Sequence, residues 1–377
     1  MIHRQEFMDG PIVDGYDVVV CSRCGAGFAD GIPPQEVIDR YYADQSKYTY
    51  DHTGGAESPW DFSRFEDTAR QVEPHLNSRT VRILDIGCAT GGLLSLFKKR
   101  GFSNLTGVDP SPACAAAASR LYGIEVRIGT VSQLNDWNDS FDLILMLGVL
   151  EHLREAGQGV RAASRLLSRG GLLYCAVPDV EGLADCPNAP YQQFSVEHLN
   201  FFSTRSLNNL MANGGMGAVR TWRWTVEWRQ GIYEPIASGL YRRMPTEAIG
   251  FDESTGKSLD RYLASSRKDE RRIVSIIDSL QRSGEAILVW GAGTLARRLL
   301  ATTNFANSNI IAFVDSNPHL RGLSLANRPI LEPHQIVDRK ETILICSWAF
   351  EMEIIETIRK RLGLQNQIIS LHQEESS

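Results

Sequence analysis

An α/β fold with two parallel-sheet units, each covered on both faces by helices, is what this sequence predicts, and three observations carry the prediction. From residue 81 short apolar, β-branched runs alternate with helical stretches, the rhythm of strands buried on both faces. Two separate junctions, at 83–92 and 287–296, pass from such a run through a glycine turn into a helix. The chain has 377 residues, more than the roughly 250–300 at which a single core stops growing and divides.

Residues 1–64 form an N-terminal module, irregular and rich in Gly, Tyr and Asp, with one helical piece at 34–42. The first α/β unit, 65–228, places strands at 81–86, 105–108, 124–128, 141–146 and 171–177, and helices at 92–100, 111–122 and 158–167. Within 229–284, residues 229–257 carry Gly, Pro and Ser without a period and read as a connector. A long helix is expected at 258–281, where Leu259, Tyr262, Leu263, Ile273, Ile277 and Leu280 fall near one stripe, and Gly284 ends it. The second unit, 285–377, opens with the strand 287–290 and continues through strands at 310–314 and 342–346.

With 43% hydrophobic and 22% charged residues the composition is that of a globular protein. A net charge of -6 and a pI near 5.8 argue against a nucleic-acid partner. No segment approaches the ~18 uninterrupted apolar residues of a membrane span, and the N-terminus has no apolar export run. Seven scattered cysteines, an odd number, do not make the dense framework of a small secreted domain. A cytoplasmic monomer or homodimer is expected.

The first junction reads Ile83-Leu84-Asp85-Ile86-Gly87-Cys88-Ala89-Thr90-Gly91-Gly92. Glycines there let backbone approach a ligand closely, and Asp85 is set to meet its charged end. Asp109, in Val108-Asp109-Pro110, closes the next strand; an acid roughly 20 residues beyond such a loop holds the hydroxyls of a ribose. The spacing departs from G-x-G-x-x-G and resembles the D-x-G-x-x-x-G motif of class I S-adenosylmethionine-dependent methyltransferases. The stretch 141–146 followed by Leu150-Glu151-His152-Leu153, and the turn at 166–172, resemble that family's next motifs in order and separation. The resemblance implies a Rossmann-like core in which Asp85, Gly87, Cys88, Ala89 and Gly91 hold the methionine part of S-adenosylmethionine. It also implies that Asp109 and Pro110 hold the ribose, that Thr130 and Val131 flank the adenine, and that Leu147 and His152 line the pocket.

Methyl transfer from a sulfonium is an in-line displacement, so an acceptor hydroxyl or carbon acid needs a base aligned with it. The candidate is His198 in Val196-Glu197-His198-Leu199-Asn200-Phe201-Phe202-Ser203, with Glu197 placed to orient it. The competing reading is that Glu197 and His198 only tie the following strand and helix together. This segment resembles the E-H-x-x-Y-F-S stretch of sugar C-methyltransferases, which act on nucleotide-linked deoxysugars, use this histidine as a base, and combine an N-terminal zinc module, a methyltransferase core and a C-terminal α/β domain. On that resemblance Tyr48, Tyr50 and Tyr191 touch the acceptor. Two departures stand out. The zinc module's paired C-x-x-C knuckles are reduced to Cys21-Ser22-Arg23-Cys24, short of the four ligands of a closed site. The tyrosine expected three residues before His198 is Ser195, which sets oxygen methylation beside carbon methylation. Some relatives bind a divalent cation with a Glu-His pair and a further carboxylate, but Gly148 stands three residues before Glu151; no metal site is expected.

The second junction, Val289-Trp290-Gly291-Ala292-Gly293-Thr294-Leu295-Ala296, fits G-x-G-x-x-A, and Asp315 closes the following strand. By its downstream pattern it resembles the C-terminal domain of the sugar methyltransferases, so Gly291, Gly293 and Asp315 are expected to dock the nucleotide or glycan part of a small-molecule acceptor used in making a polysaccharide or glycosylated metabolite. The alternatives are an NAD-dependent sugar oxidoreductase using this loop, and a non-catalytic nucleotide- or glycan-binding protein.

Overall fold

The computed structural model describes residues 1–10, 12, 15–44, 56–246 and 248–372. The N-terminal module begins with three short strands, β1 (His3–Gln5), β2 (Tyr16–Val20) and β3 (Gly27–Asp30), followed by helix α1 (Gln35–Asp44). Helix α2 (Pro59–Val72) starts on a capping box in which Ser58 and Asp61 satisfy each other's backbone N–H.

The first α/β unit runs β4 (Arg82–Ile86), α3 (Gly92–Lys99), β5 (Asn104–Asp109), α4 (Pro112–Tyr122), β6 (Val126–Ile128), β7 (Phe141–Leu147), α5 (Ala156–Arg165) and β8 (Leu167–Pro178). It continues through β9 (Asn200–Phe201), α6 (Thr204–Asn213), β10 (Met216–Arg229) and β11 (Ile232–Arg243). Seven of these strands form one sheet in the order β10-β11-β8-β7-β4-β5-β6. The pairs among β4 to β8 are parallel, while β11 lies antiparallel between β8 and β10. Apolar clusters cover both faces, one around Ile144, Met146 and Leu173, the other around Ile83, Phe97 and Leu145.

Two expectations change here. Residues 229–257 are not one connector, because 232–243 are the strand β11, whose register with β8 runs from Ile236 opposite Pro178 to Arg242 opposite Leu172. The boundary expected at 228 therefore falls inside a hairpin whose two-residue turn is Gln230-Gly231, with Gly231 at φ +74°. The strand β9 leaves the large sheet altogether and pairs with β3, giving the N-terminal module the sheet β1-β2-β3-β9.

Helix α7 (Glu253–Ser283) begins five residues earlier than its apolar stripe suggests, because Asp252 caps it and accepts from the backbone N–H of Ser254 and Thr255. By its span it is ~46 Å long. Its first half buries Leu259, Tyr262 and Leu263 in one core with Tyr16, Val18, Phe194, Leu199 and Phe201. Its second half buries Ile273, Ile277 and Leu280 against the C-terminal unit. That unit comprises β12 (Ile287–Trp290), α8 (Thr294–Thr302), β13 (Ile310–Val314), β14 (Ser324–Leu325), β15 (Arg328–Leu331), β16 (Thr342–Ile345), α9 (Glu351–Glu356) and β17 (Ile368–Ser370). Its sheet has the order β14-β15-β13-β12-β16-β17.

Asp252 joins three parts of the molecule. Besides capping α7 it accepts from Ser203 Oγ at 2.6 Å and Thr255 Oγ1 at 2.6 Å, and its backbone N–H donates to Cys24 O. Burial works to raise its carboxyl, but the bonds from Ser203, Thr255 and Ser254 outweigh that and hold it below the ordinary value of 3.8. Asp252→Ala is expected to lose about 2 kcal/mol of stability, read by calorimetry as a lower midpoint of unfolding. A carboxyl depressed in the fold stabilises above its unfolded value, so the gap between wild type and variant narrows as pH falls below about 3.8.

Candidate active site

The strand β4 delivers Asp85 to the carboxyl edge of the large sheet. Gly87, Ala89 and Gly91 then take φ of +73°, +46° and +82°, turning the chain into α3. A side chain at Gly87 is blocked as well as strained, since its Cβ would lie 2.7 Å from Val149 Cγ2. The turn is held from the neighbouring strand: Gly87 N donates to Val108 O at 2.8 Å, and Asp109 Oδ2 accepts from Ala89 N at 2.9 Å. Asp109 Oδ1 accepts from Ser111 N at 2.9 Å. Burial pushes the Asp109 carboxyl up against the pull of these two N–H groups.

Asp85 is 3% exposed. Burial first, and the Asp109 carboxylate second, push its carboxyl up to about 8, with Arg64 working the other way. A third carboxylate, unforeseen from the sequence, comes from Glu57 just before α2. Thr90 Oγ1 donates to Glu57 Oε1 at 2.6 Å and the Tyr122 hydroxyl donates to Oε2. Its only advance signal is its place one residue before the Ser58 cap. The loop is thus an acidic cradle suited to a cationic ligand. Cys88 is buried in its wall, Pro110 and Leu147 are half-buried at the ends of β5 and β7, and Thr130 and Val131 open the turn after β6. The Thr130 N–H is held there by Gln133 Oε1 at 2.8 Å.

The histidine segment is tied on both sides before it reaches β9. Ser195 Oγ accepts from the backbone N–H of both Glu197 and His198 at 3.1 Å, and the Tyr16 hydroxyl donates to Ser195 O at 2.9 Å. Serine at this position therefore builds the turn. Leu199 N donates to Glu151 O at 2.6 Å and Ala29 N to Leu199 O at 2.8 Å. Asn200 Nδ2 donates to Leu150 O and Leu153 O at 3.0 and 2.7 Å.

The capped turn gives the two side chains different partners among the described residues. Glu197 Oε1 accepts from the Tyr41 hydroxyl at 3.1 Å, whereas His198 Nδ1 lies 2.9 Å from Gln193 Oε1. His152 is beside His198: the two rings are 5.0 Å apart. His152 Nδ1 donates to Glu197 O at 2.8 Å and lies 2.9 Å from the Tyr42 hydroxyl. The ring nitrogens and carboxylate of His152, His198 and Glu151 come within 4.8 Å of one another, a grouping that sequence spacing does not announce because Asn200 and β9 create it.

The second glycine loop shares the aspartate clamp of the first, with one positive-φ residue in place of three. Gly291 takes φ +110° and donates to Val314 O at 2.8 Å. Asp315 Oδ2 accepts from Ala292 N and Oδ1 from Asn317 N, both at 2.9 Å. The loop opens on a cleft of about 1540 Å³ between the C-terminal unit and the rest of the chain, lined by Gly291, Gly293, Asp315, Trp348, Tyr41 and Glu197 among others. Tyr191 is not part of that lining. It is 4% exposed at φ +58°, stacked on His3 at 4.9 Å with the Arg298 guanidinium over its ring, so it builds the joint between units. Tyr48 and Tyr50 lie outside the described residues. Cys21 and Cys24 sit in the turn joining β2 and β3, closed by Gly25 N donating to Cys21 O.

Comparison with known proteins follows the same division. The family model described as "Methyltransferase domain" matches residues 60–219, and one described as "C2185-like, N-terminal" matches 283–369. The ubiquinone biosynthesis O-methyltransferase of Azorhizobium caulinodans is 35% identical over 114 residues, 29% of this chain and 44% of that protein. The enzyme of the same name from Methylobacterium nodulans is 28% identical over 176 residues, 44% of this chain and 64% of that protein. The chain thus spans about half the length of these curated relatives. Among solved structures, the Burkholderia thailandensis 1,6-didemethyltoxoflavin-N1-methyltransferase with bound S-adenosylhomocysteine gives a TM-score of 0.42 at 19% identity, covering 59% of this chain and 97% of that one. Magnesium protoporphyrin IX methyltransferase from Synechocystis with bound S-adenosylmethionine gives 0.41 at 13%, covering 56% and 98%. With the D-x-G-x-x-x-G turn, the Asp109 clamp and the family match all falling on one stretch, residues 60–219 belong to the class I S-adenosylmethionine-dependent methyltransferases.

Proposed function

We propose that this chain transfers a methyl group from S-adenosylmethionine to a carbon or oxygen atom of a nucleotide-linked sugar or related saccharide held in the cleft between the two glycine loops. The observation that carries the reading is the continuity of that cleft from the Gly291 loop and Asp315 to Tyr41, Glu197 and Glu57, the last of which is bonded to the first glycine loop.

The acidic first loop fits the cofactor. Asp85 is a buried carboxyl to which no hydrogen bond is made among the described residues, and an ammonium or sulfonium is the partner it lacks. When bound, S-adenosylmethionine supplies an electrophilic methyl group. The residues around it do the rest: Asp109 retains acceptor capacity for ribose hydroxyls, and His198 takes up the proton of the acceptor. At the second loop arginines stand among the carboxylates, and they support an anionic group there. Arg297 of α8 bonds its Nε to Ala292 O at 3.2 Å, and Arg40 and Arg361 also line the cleft. A phosphate at the N-terminus of α8, with its ribose on Asp315, would leave the sugar pointing along the cleft toward Glu197, the residue before His198. The ubiquinone biosynthesis enzymes of Azorhizobium caulinodans and Methylobacterium nodulans match 29% and 44% of this chain, so they support methyl transfer and leave the acceptor to be decided by the remainder.

The expected outcomes are these. Binding of S-adenosylhomocysteine, measured calorimetrically, weakens as pH falls below about 8, because a group raised to that value must release a proton to meet a cation. Asp85→Asn removes this pH dependence and weakens binding by about ten- to a hundredfold. Incubating a panel of nucleotide-sugars with isotopically labelled S-adenosylmethionine and reading the products by mass spectrometry reveals the acceptor. In that assay His198→Ala lowers turnover by about a hundredfold or more while leaving S-adenosylhomocysteine binding intact; unchanged turnover would remove His198 from the reaction. Asp315→Asn raises KM for the acceptor by about tenfold through its lost hydrogen bonds, with cofactor binding unaffected. If the panel yields no methylated product but the protein binds NAD, the sugar methyltransferase reading fails.

A further inference from the structure

Gln193 lies on the turn just before the histidine segment and is 7% exposed. Its backbone N–H donates to the Tyr262 hydroxyl of α7 at 3.0 Å. Its side-chain amide bridges two groups: Nε2 donates to Glu234 Oε1 of β11 at 3.1 Å, and Oε1 faces His198 Nδ1 at 2.9 Å. Counting donors gives this chain a direction. An ionised carboxylate only accepts, so the amide must present its NH2 to Glu234 and its carbonyl to His198. A carbonyl in turn accepts only, so His198 must carry its proton on Nδ1. The lone pair of the neutral ring is then on Nε2.

We propose that Gln193 and Glu234 are positioning residues that fix His198 in the Nδ1–H tautomer, with Nε2 as the atom that receives the acceptor's proton. This deepens the proposed function and rests on the reading of His198 as its base. It also accounts for an amide standing where a carboxylate would make a simpler partner. A carboxylate in direct contact favours the imidazolium by roughly one to three pKa units, and an imidazolium accepts no proton. Gln193 passes on the orientation set by Glu234 while keeping the charge one side chain away. Among the described residues, the other titratable groups around the ring are Glu197, engaged by Tyr41 of α1; His152 and Glu151 from the turn after β7, with Tyr42 against His152; and Tyr262 of α7 behind the Gln193 backbone. None of these changes in the variants below.

The test exchanges amide and carboxylate without changing shape. Full-length protein labelled with 15N-histidine is examined by long-range 1H–15N correlation NMR, and the His198 signals are identified by their disappearance in His198→Gln. Wild type is expected to show the Nδ1–H tautomer of the neutral ring. Glu234→Gln, which lets the amide turn either way, is expected to lose that preference and show mixed tautomers. The double variant Gln193→Glu with Glu234→Gln keeps every hydrogen bond but brings the carboxylate against the ring. It is expected to keep the Nδ1–H tautomer and to raise the titration midpoint of His198 by about one unit or more. With an acceptor from the nucleotide-sugar panel, the acidic limb of its kcat/KM profile moves up in step. Both variants are isosteric, and thermal unfolding confirms that they fold. An Nε2–H tautomer in wild type, or a tautomer and midpoint unmoved in both variants, overturns the proposal. If the NMR results hold but His198→Ala keeps its turnover with that acceptor, the tautomer lock stands and the base assignment is what fails.

Discussion

The site depends first on a carboxylate that ends one strand and bonds the backbone of the glycine turn leaving the strand beside it. Asp109 accepts from Ala89 N, inside the turn, and from Ser111 N, at the start of the next helix. Three consecutive alternate residues with positive φ are costly to hold in one arrangement, and for Ala89 the conformation is disfavoured outright. The hydrogen bond to its own N–H is what over-determines it. Preorganisation follows: the cradle is set before any ligand arrives, so binding is not charged with ordering the loop. The same carboxylate has a second effect, since its proximity helps to keep Asp85 protonated and leaves that group waiting for a cation.

A loop at one sheet edge becomes a site only when something faces it, and here long-range tethers supply the facing wall. The N-terminal module takes β9 into its own sheet, which carries the histidine segment away from the large sheet and sets it over the turn after β7. Asn200 then bonds that turn twice, bringing His152 against His198. Helix α7 does the same on a larger scale: one end shares a core with the N-terminal module and the other with the C-terminal unit. The positions of the two glycine loops relative to one cleft are therefore consequences of one 31-residue helix and its Asp252 cap.

Features whose partners are near in sequence were legible from the residues, and those with distant partners were not. The strand-turn-helix at 83–92, Asp109, and the second junction with Asp315 follow from local glycine chemistry and spacing, and each falls where expected. The strand β11 is hidden because its meaning depends on β8, more than fifty residues earlier in the chain; only the Gln230-Gly231 turn betrays it. Glu197 adjoins His198 in sequence, and the Ser195-capped turn gives it Tyr41 as a partner. His198 meets Gln193, held in turn by Glu234 from a strand 41 residues away. No spacing rule connects those residues, because the fold of the hairpin brings them together.

The two glycine loops share their aspartate clamp and differ in charge, and the difference bears on what each takes. Both close their second strand on an aspartate that accepts two backbone N–H groups at 2.9 Å. Around the first, Glu57 adds negative charge, and Asp85, raised to about 8 by burial and by Asp109, becomes an anion when a cation draws off its proton. Around the second, Asp315 bonds Ala292 N and the half-buried Arg297 of α8 bonds Ala292 O, with the opening helix α8 presenting its free N–H groups. On the proposed reading the methyl donor sits at the first loop and a phosphorylated acceptor at the second, with Glu197 on the wall of the cleft between them.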